Sequence, residues 1–315
     1  MRRIAGPCYS GFVRTSTLAP AKVNLVLRVG NLRHDGFHEV SSLMVPLDLA
    51  DRVDVRVGAR PGPVTCRVPG RPELDGPGNL AARAAEGFRD RFAVDRAITI
   101  RIDKKVPVTA GLGGGSSDAA AVLRCLTRAF RVRDAKALAE VALSVGSDVP
   151  FFLVPGPAWA GGRGETLRPA RVPPLHLVLL FPEDPTLAIR ASEAYRWLDA
   201  SRNGPSAPLP RPRRFATTLL GNDLEPPCLA ERPVLSRFLR RLQSAGAAAV
   251  MMSGSGPTVF GVFESRRAAL KAARELAKEV GRAVRVLTAR TASRQPGVTS
   301  WRSPRSASSP STRRS

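Results

Sequence analysis

Apolar and polar positions follow two periods along this chain. Residues 22–29 (KVNLVLRV) and 52–57 (RVDVRV) alternate as half-buried strands do, and 97–102 (AITIRI) repeats the pattern. The period then changes: Val122, Leu123, Leu126, Ala129 and Phe130 share one face of a helix expected over 117–130. A second helix is expected over 134–145, with Gly146 as its stop. After a proline-rich stretch at 168–174, the apolar run HLVLLF at 176–181 starts a second half. That half reads as a helix over 233–245, strands at 247–252 and 258–263 around a glycine turn, and a closing helix over 265–280. Strands and helices in both halves, with no internal repeat, predict an α/β or α+β protein of two domains divided near residue 170.

Composition narrows the function classes. At 315 residues and 43% hydrophobic, the chain is long enough to bury a sizeable core. No apolar run approaches the roughly 20 residues that span a bilayer, so no membrane association is expected. Cys8, Cys66, Cys125 and Cys228 are scattered, without a CxxC pair or a secretory signal. This fits a reducing cytoplasm and argues against a disulfide or zinc framework, so no protein-built metal site is expected. The net charge of +23 admits a nucleic-acid partner or an anionic small molecule. No basic stripe interleaved with aromatics and no RNA-binding motif is present, which favours the small molecule over a specific nucleic acid. Residues 1–16 carry arginines without acids; a transit peptide is the alternative, but the short, poorly patterned segment reads better as a loose extension. The Ser-, Arg- and Pro-rich residues 291–315 read as a disordered basic tail. Monomer and homodimer both remain open.

Between the third strand and its helix lies VPVTAGLGGGSSD, residues 106–118. Glycines accept positive φ and let backbone N–H groups approach an anion, the serines add hydroxyls, and the following helix turns its positive end toward the ligand. Ser117 or Asp118 is the expected helix cap. A P-loop would need GxxxxGK[ST], and no lysine follows these glycines; a dinucleotide fingerprint would need GxGxxG, and Ser116 stands where the third glycine belongs. A permissive turn with a serine cap explains the segment alone almost as well.

Two more segments change that balance. PVTAGLGGGSSDAA at 107–120 resembles the ATP-binding motif of the GHMP kinases (the galactokinase, homoserine, mevalonate and phosphomevalonate kinases), and APAKVNL at 19–25 and MSGSGPT at 252–258 resemble that family's other two signatures in the same order. The resemblance implies an α+β fold with a ribosomal-S5-like N-terminal domain over 17–170 and a ferredoxin-like C-terminal domain over 171–290. It also implies ATP-dependent phosphorylation of a small-molecule alcohol, with Mg2+ accompanying ATP. DGFHE at 35–39, GSDVPFF at 146–152 and GNDLE at 221–225 resemble the branch of the family whose substrate carries a cytidyl group. The alternatives are a mevalonate- or homoserine-type kinase and a non-catalytic, nucleic-acid-binding GHMP-like protein.

Matched position by position, the resemblance implies a catalytic base at Asp148 and a supporting cation at Lys22; a turn aspartate and a snorkelling surface lysine are the plainer readings. Asn24, on the same strand face as Lys22, is implied to position the substrate. Phe37 and Tyr195 are implied to stack on the cytosine, with His38 at its edge, though a core phenylalanine and a loop histidine fit equally. Around Tyr195 the sequence departs from its relatives, with Arg190-Ala191 in place of Ser-Thr, so the second side of that pocket is open. The nucleotide is assigned to Pro107, Val108, Thr109, Ala110, Gly111, Leu112, Gly113, Gly114, Gly115, Ser116 and Ser117. Asn79 and Lys104 join them as candidates, against a helix cap and a solvated lysine. The MSGSGPT turn is expected to pack on the phosphate loop or the substrate.

Overall fold

The structure is a computed structural model and describes residues 12–202, 204 and 217–296. The first eleven positions of the expected extension and residues 297–315 of the expected tail lie outside the described residues.

The first sheet is built on two long strands, β1 (Val13–Leu32) and β2 (His38–Val57), with β3 (Val64–Arg67), β4 (Ile98–Asp103), β5 (Ala158–Gly161) and β6 (Thr166–Pro169). Its helices are α1 (Leu80–Phe92), α2 (Gly114–Ala129) and α3 (Ala135–Val145). The second sheet holds β7 (His176–Pro182), then, beyond β8 (Gly221–Asn222), β9 (Ala249–Met252), β10 (Val259–Phe263) and β11 (Val284–Arg290). Its helices are α4 (Ala191–Ser201), α5 (Glu225–Glu231), α6 (Val234–Ser244) and α7 (Arg266–Val280).

The first sheet runs β3-β4-β2-β1-β8, with β5 paired to β2 and β6 to β5; the second runs β11-β7-β10-β9. Although it follows the second sheet's first strand in sequence, β8 pairs with β1 and so ties the later half of the chain to the first sheet. One apolar core lies between α1–α3 and the first sheet, and another between α4–α7 and the second. A third joins the sheets directly: Val23, Leu25 and Leu43 meet Leu177, Leu179 and Phe260.

Three expectations need correction. β2 begins at His38 rather than near residue 52, because nearly every residue from Val40 to Leu47 is buried and the two-residue alternation disappears. Residues 13–16 are no loose extension; they pair with Asp54–Val57 as the start of β1. The tail does not begin at residue 291 either. Thr291 bridges to Leu47, and the Gln295 side chain donates to the Phe151 carbonyl at 2.9 Å, with both residues buried.

Candidate active site

Lys22 lies on β1 with its side chain buried. Its ammonium donates to Asn24 Oδ1 at 2.6 Å and lies 3.4 Å from Asp148 Oδ2. Asn24 Nδ2 donates to Ser42 Oγ at 2.7 Å, and Ser42 Oγ to the Val26 carbonyl at 2.8 Å, so β1 and β2 hold the lysine through a closed chain of donors. Asp148 follows the Gly146 stop of α3, in a turn closed by Val149 N to Gly146 O at 3.1 Å; its side chain is 39% exposed. A buried ammonium thus faces an accessible carboxylate, the arrangement expected of a proton acceptor and its supporting cation.

The three motif segments meet at this pair. Lys22 N donates to the Leu112 carbonyl at 2.9 Å, fastening the glycine loop to β1. Ser253 Oγ donates to the Gly111 carbonyl at 3.0 Å, and a Cβ at Gly254 would stand 3.4 Å from the Lys22 ammonium. The MSGSGPT turn therefore packs on the loop, as expected. Gly111, at φ +72°, admits no side chain, since a Cβ there would collide with the Ser253 and Gly256 carbonyls.

The helix after the loop starts earlier than expected. Gly113 is the N-cap, in the left-handed region at φ 70° and without a side-chain bond, and Ser117 N reaches Gly113 O at 2.9 Å. Glycines carry the first helical turn, so Ser117 and Asp118 lie inside α2 rather than capping it. Ser117 Oγ and Asp118 Oδ1 are buried without a hydrogen-bond partner among the described residues.

Beneath the loop, Lys104 donates to Asp51 Oδ2 at 2.5 Å and to Asp118 Oδ2 at 2.8 Å. Asp51 also accepts the Lys105 and Val106 amides, which fixes the chain where it leaves β4. Burial, helped by the Asp51 charge and opposed by Lys104, pushes the Asp118 carboxyl up to about 7. Lys104 is thus a buried brace under the loop rather than a solvated lysine. Asn79 takes its plainer role as well: Oδ1 accepts Ala81 N at 2.9 Å and caps α1, while Nδ2 donates to the Leu74 carbonyl.

A cavity of about 700 Å³ opens at the catalytic pair. Its walls include Lys22, Asn24, Asp148, Gly111, Gly113 and Ser116 together with Phe37, His38 and Tyr195. Of the other loop candidates, Pro107, Val108 and Thr109 line a separate cavity of about 150 Å³, while Ala110 and Leu112 are buried. Tyr195 stacks on His38, with centroids 5.0 Å apart at 16°, whereas Phe37 projects from the β1–β2 turn and is 44% exposed. His38, the first residue of β2, turns inward and holds Asp199 Oδ1 at 2.8 Å through Nε2. Burial, and secondarily the Asp148 charge, push the Tyr195 phenol up to about 12, so it stays a neutral donor near pH 7.

Two sets of residues carry the geometry without any role foreseen from sequence. Within GNDLE, Asn222 donates to the Met252 and Gly254 carbonyls at 2.9 and 2.7 Å, and Glu225 accepts Met252 N, so this segment shapes the MSGSGPT turn. Arg124 on α2 is half-buried and donates to the Leu18 and Phe152 carbonyls, both at 2.7 Å. It draws together the strand bearing Lys22 and the segment after Asp148; burial lowers its pKa to about 10.

Comparison with known proteins agrees with this geometry. The sequence matches the GHMP kinases N terminal domain over residues 79–156 and the GHMP kinases C terminal domain over 210–283. A 4-diphosphocytidyl-2-C-methyl-D-erythritol kinase of Anaeromyxobacter sp. (strain Fw109-5) is 70% identical, over 96% of this chain and 100% of that protein. One of Citrifermentans bemidjiense is 42% identical, over 84% of this chain and 95% of that protein. A crystal structure of 4-(cytidine 5'-diphospho)-2C-methyl-D-erythritol kinase superposes with a TM-score of 0.69 at 34% identity, covering 88% of this chain and 99% of that one. Fold and site together define a GHMP small-molecule kinase, α+β and in two parts. Within that class, the chain belongs to the 4-diphosphocytidyl-2-C-methyl-D-erythritol kinase family.

Proposed function

We propose that this kinase transfers the γ-phosphoryl group of ATP to the C2 hydroxyl of 4-diphosphocytidyl-2-C-methyl-D-erythritol, giving the 2-phosphate and ADP on the non-mevalonate route to isoprenoid precursors. The observation that carries the reading is the Lys22–Asp148 pair at 3.4 Å, set in the same cavity wall as Gly111, Gly113 and Ser116. Asp148 takes the proton of the C2 hydroxyl as the oxygen attacks the γ-phosphorus and the bond to the ADP oxygen breaks. Lys22 faces the carboxylate at 3.4 Å and offers positive charge to the transferring group, and Asn24 aligns the hydroxyl.

The phosphates lie on the start of α2, whose first-turn glycine amides have no partner within the helix and beside which the buried Ser117 hydroxyl has no partner among the described residues. Mg2+ would supply charge neutralisation to the phosphates when bound; Ser116 beside the loop and Asp148 are cavity-lining oxygen donors that would suit a hard cation. Phe37 offers a face to the cytosine, and the His38–Tyr195 stack lines the same cavity. Asn79 and Lys104 serve the nucleotide indirectly, by holding α1 and the loop. The cytoplasm, where ATP is abundant, is the compartment of this reading, and a specific nucleic-acid partner has no part in it.

A coupled ADP-release assay offering 4-diphosphocytidyl-2-C-methyl-D-erythritol, mevalonate and homoserine separately tests the assignment. Turnover is expected with the cytidyl substrate alone. Turnover only with mevalonate or homoserine would overturn it.

A further inference from the structure

The cavity wall carries two guanidinium groups that the transfer step does not use. Arg163 projects from the turn between β5 and β6, and Arg196 from α4, so they reach the cavity from the two halves of the molecule. Lys22, the other cation of the wall, is committed to Asn24 and Asp148. The two acids of the wall are committed as well, Asp148 to Lys22 and Asp199 to His38. Neither Arg163 nor Arg196 forms an ion pair with a carboxylate among the described residues. The nearby Glu165 accepts the Arg163 backbone amide, and Glu39 pairs with Arg33.

Arg163 is also held in place. Val40 N donates to the Gly162 carbonyl at 2.7 Å and Gly162 N to Glu39 at 3.3 Å, docking the β5–β6 turn on the start of β2. The Arg163 guanidinium then lies 4.8 Å from the centroid of Phe37, over one face of the ring. A fixed cation thus stands beside the aromatic proposed to meet the base. In a cytidyl diphosphate, the charge next to the base is the diphosphate, whose oxygens suit the planar fork of arginine.

We propose that Arg163 and Arg196 form a clamp for the substrate's diphosphate, reaching it from the two halves of the molecule and separating a cytidyl diphosphate from small hydroxy acids that lack one. This deepens the proposed function and rests on it. The test titrates the full-length protein with cytidine and with cytidine 5'-diphosphate, the nucleotide site being filled with a non-hydrolysable ATP analogue.

Wild type is expected to bind the diphosphate more tightly than cytidine. Arg196→Ala and Arg163→Ala should each shrink that ratio by about tenfold or more, the scale of a lost charged hydrogen bond. Arg163→Lys, which keeps the charge and the stem, should restore part of it. In turnover the same variants should raise KM while kcat stays within about twofold, because the clamp touches no reacting atom. An unchanged ratio in both alanine variants overturns the clamp; equal weakening of both ligands by Arg163→Ala leaves the ratio unchanged and makes that residue only a support for Phe37. If wild type binds neither ligand, the cytidyl pocket itself fails, and the clamp with it.

Discussion

At the scale of single residues, the chemistry rests on charges whose partners are far away in sequence. Asp148 is 39% exposed and bonded through one contact, so Asp148→Asn should leave thermal unfolding almost unchanged. Turnover should fall by about 10²–10⁴-fold, the usual worth of a positioned proton acceptor, as measured by ADP release. Lys22→Met keeps the buried stem and removes only the charge; a comparable loss of turnover is expected, and full activity in either purified variant would remove that residue from the mechanism. Sequence alone left Lys22 and Asp148 with plain alternatives, because nothing in their spacing shows that β1 and the turn after α3 meet. The family resemblance named them, and the 3.4 Å contact supplies the physical reason. Arg124 and the His38–Tyr195 stack were not legible at all. Both arise from tertiary neighbours, and an arginine on a helix reads as solvated until its environment is known.

At the scale of elements, periodicity located β4, β7, β9, β10, α2, α3, α6 and α7 to within a few residues; it passed over β3, β5, β6, β8, β11, α4 and α5, and it failed where burial erased the period. The early half of β2 is one such place. The start of α2 is another, since glycine's low helix propensity pointed to a later start, whereas Gly114 and Gly115 complete the first turn over the Lys104 brace. Gly111→Ala combines a strained φ of +72° with a collision against the MSGSGPT turn. It should cost about 1–3 kcal/mol in denaturant unfolding and weaken ATP binding together.

The brace itself should be visible in the pH dependence of stability. Asp118 rises from 3.8 to about 7 in the folded chain, mainly through burial, so the folded state keeps a proton that the unfolded state releases near 3.8. Stability from this group is therefore full below about 3.8 and is lost as pH rises toward 7. Asp118→Asn removes the titration while keeping an oxygen for Lys104. The stability difference between variant and wild type should move in the variant's favour from pH 4 to pH 7, and a flat difference across that range would refute the brace's protonation.

At the scale of the whole molecule, the order of three separated signatures gave the two-part kinase architecture, while the joining of the parts was hidden. The core between the sheets, the pairing of β8 with β1 and the return of residues 291–296 all depend on strands from one half lying against the other. Residues 291–296 escaped notice because they pack through hydrogen bonds of the backbone and of the Thr291 and Gln295 side chains, which leave no hydrophobic pattern. Ala292 N donates to Pro46 O at 2.7 Å, Gln295 N to Pro155 O at 2.6 Å, and the Gln295 side chain to Phe151 O at 2.9 Å, close to the segment that carries Asp148. Two truncations separate this seam from the residues beyond it. Ending the chain after Pro296 keeps every one of these bonds, so Tm and turnover should match the full chain. Ending it after Arg290 removes them and leaves the Phe151 carbonyl without the Gln295 donor. Each lost buried bond costs about 1 kcal/mol, so Tm should drop by several degrees. Turnover should fall with it, because Phe151 and Phe152 anchor the turn that aims Asp148 at Lys22. Equal melting of the two truncated proteins would show that the seam contributes nothing to holding the site.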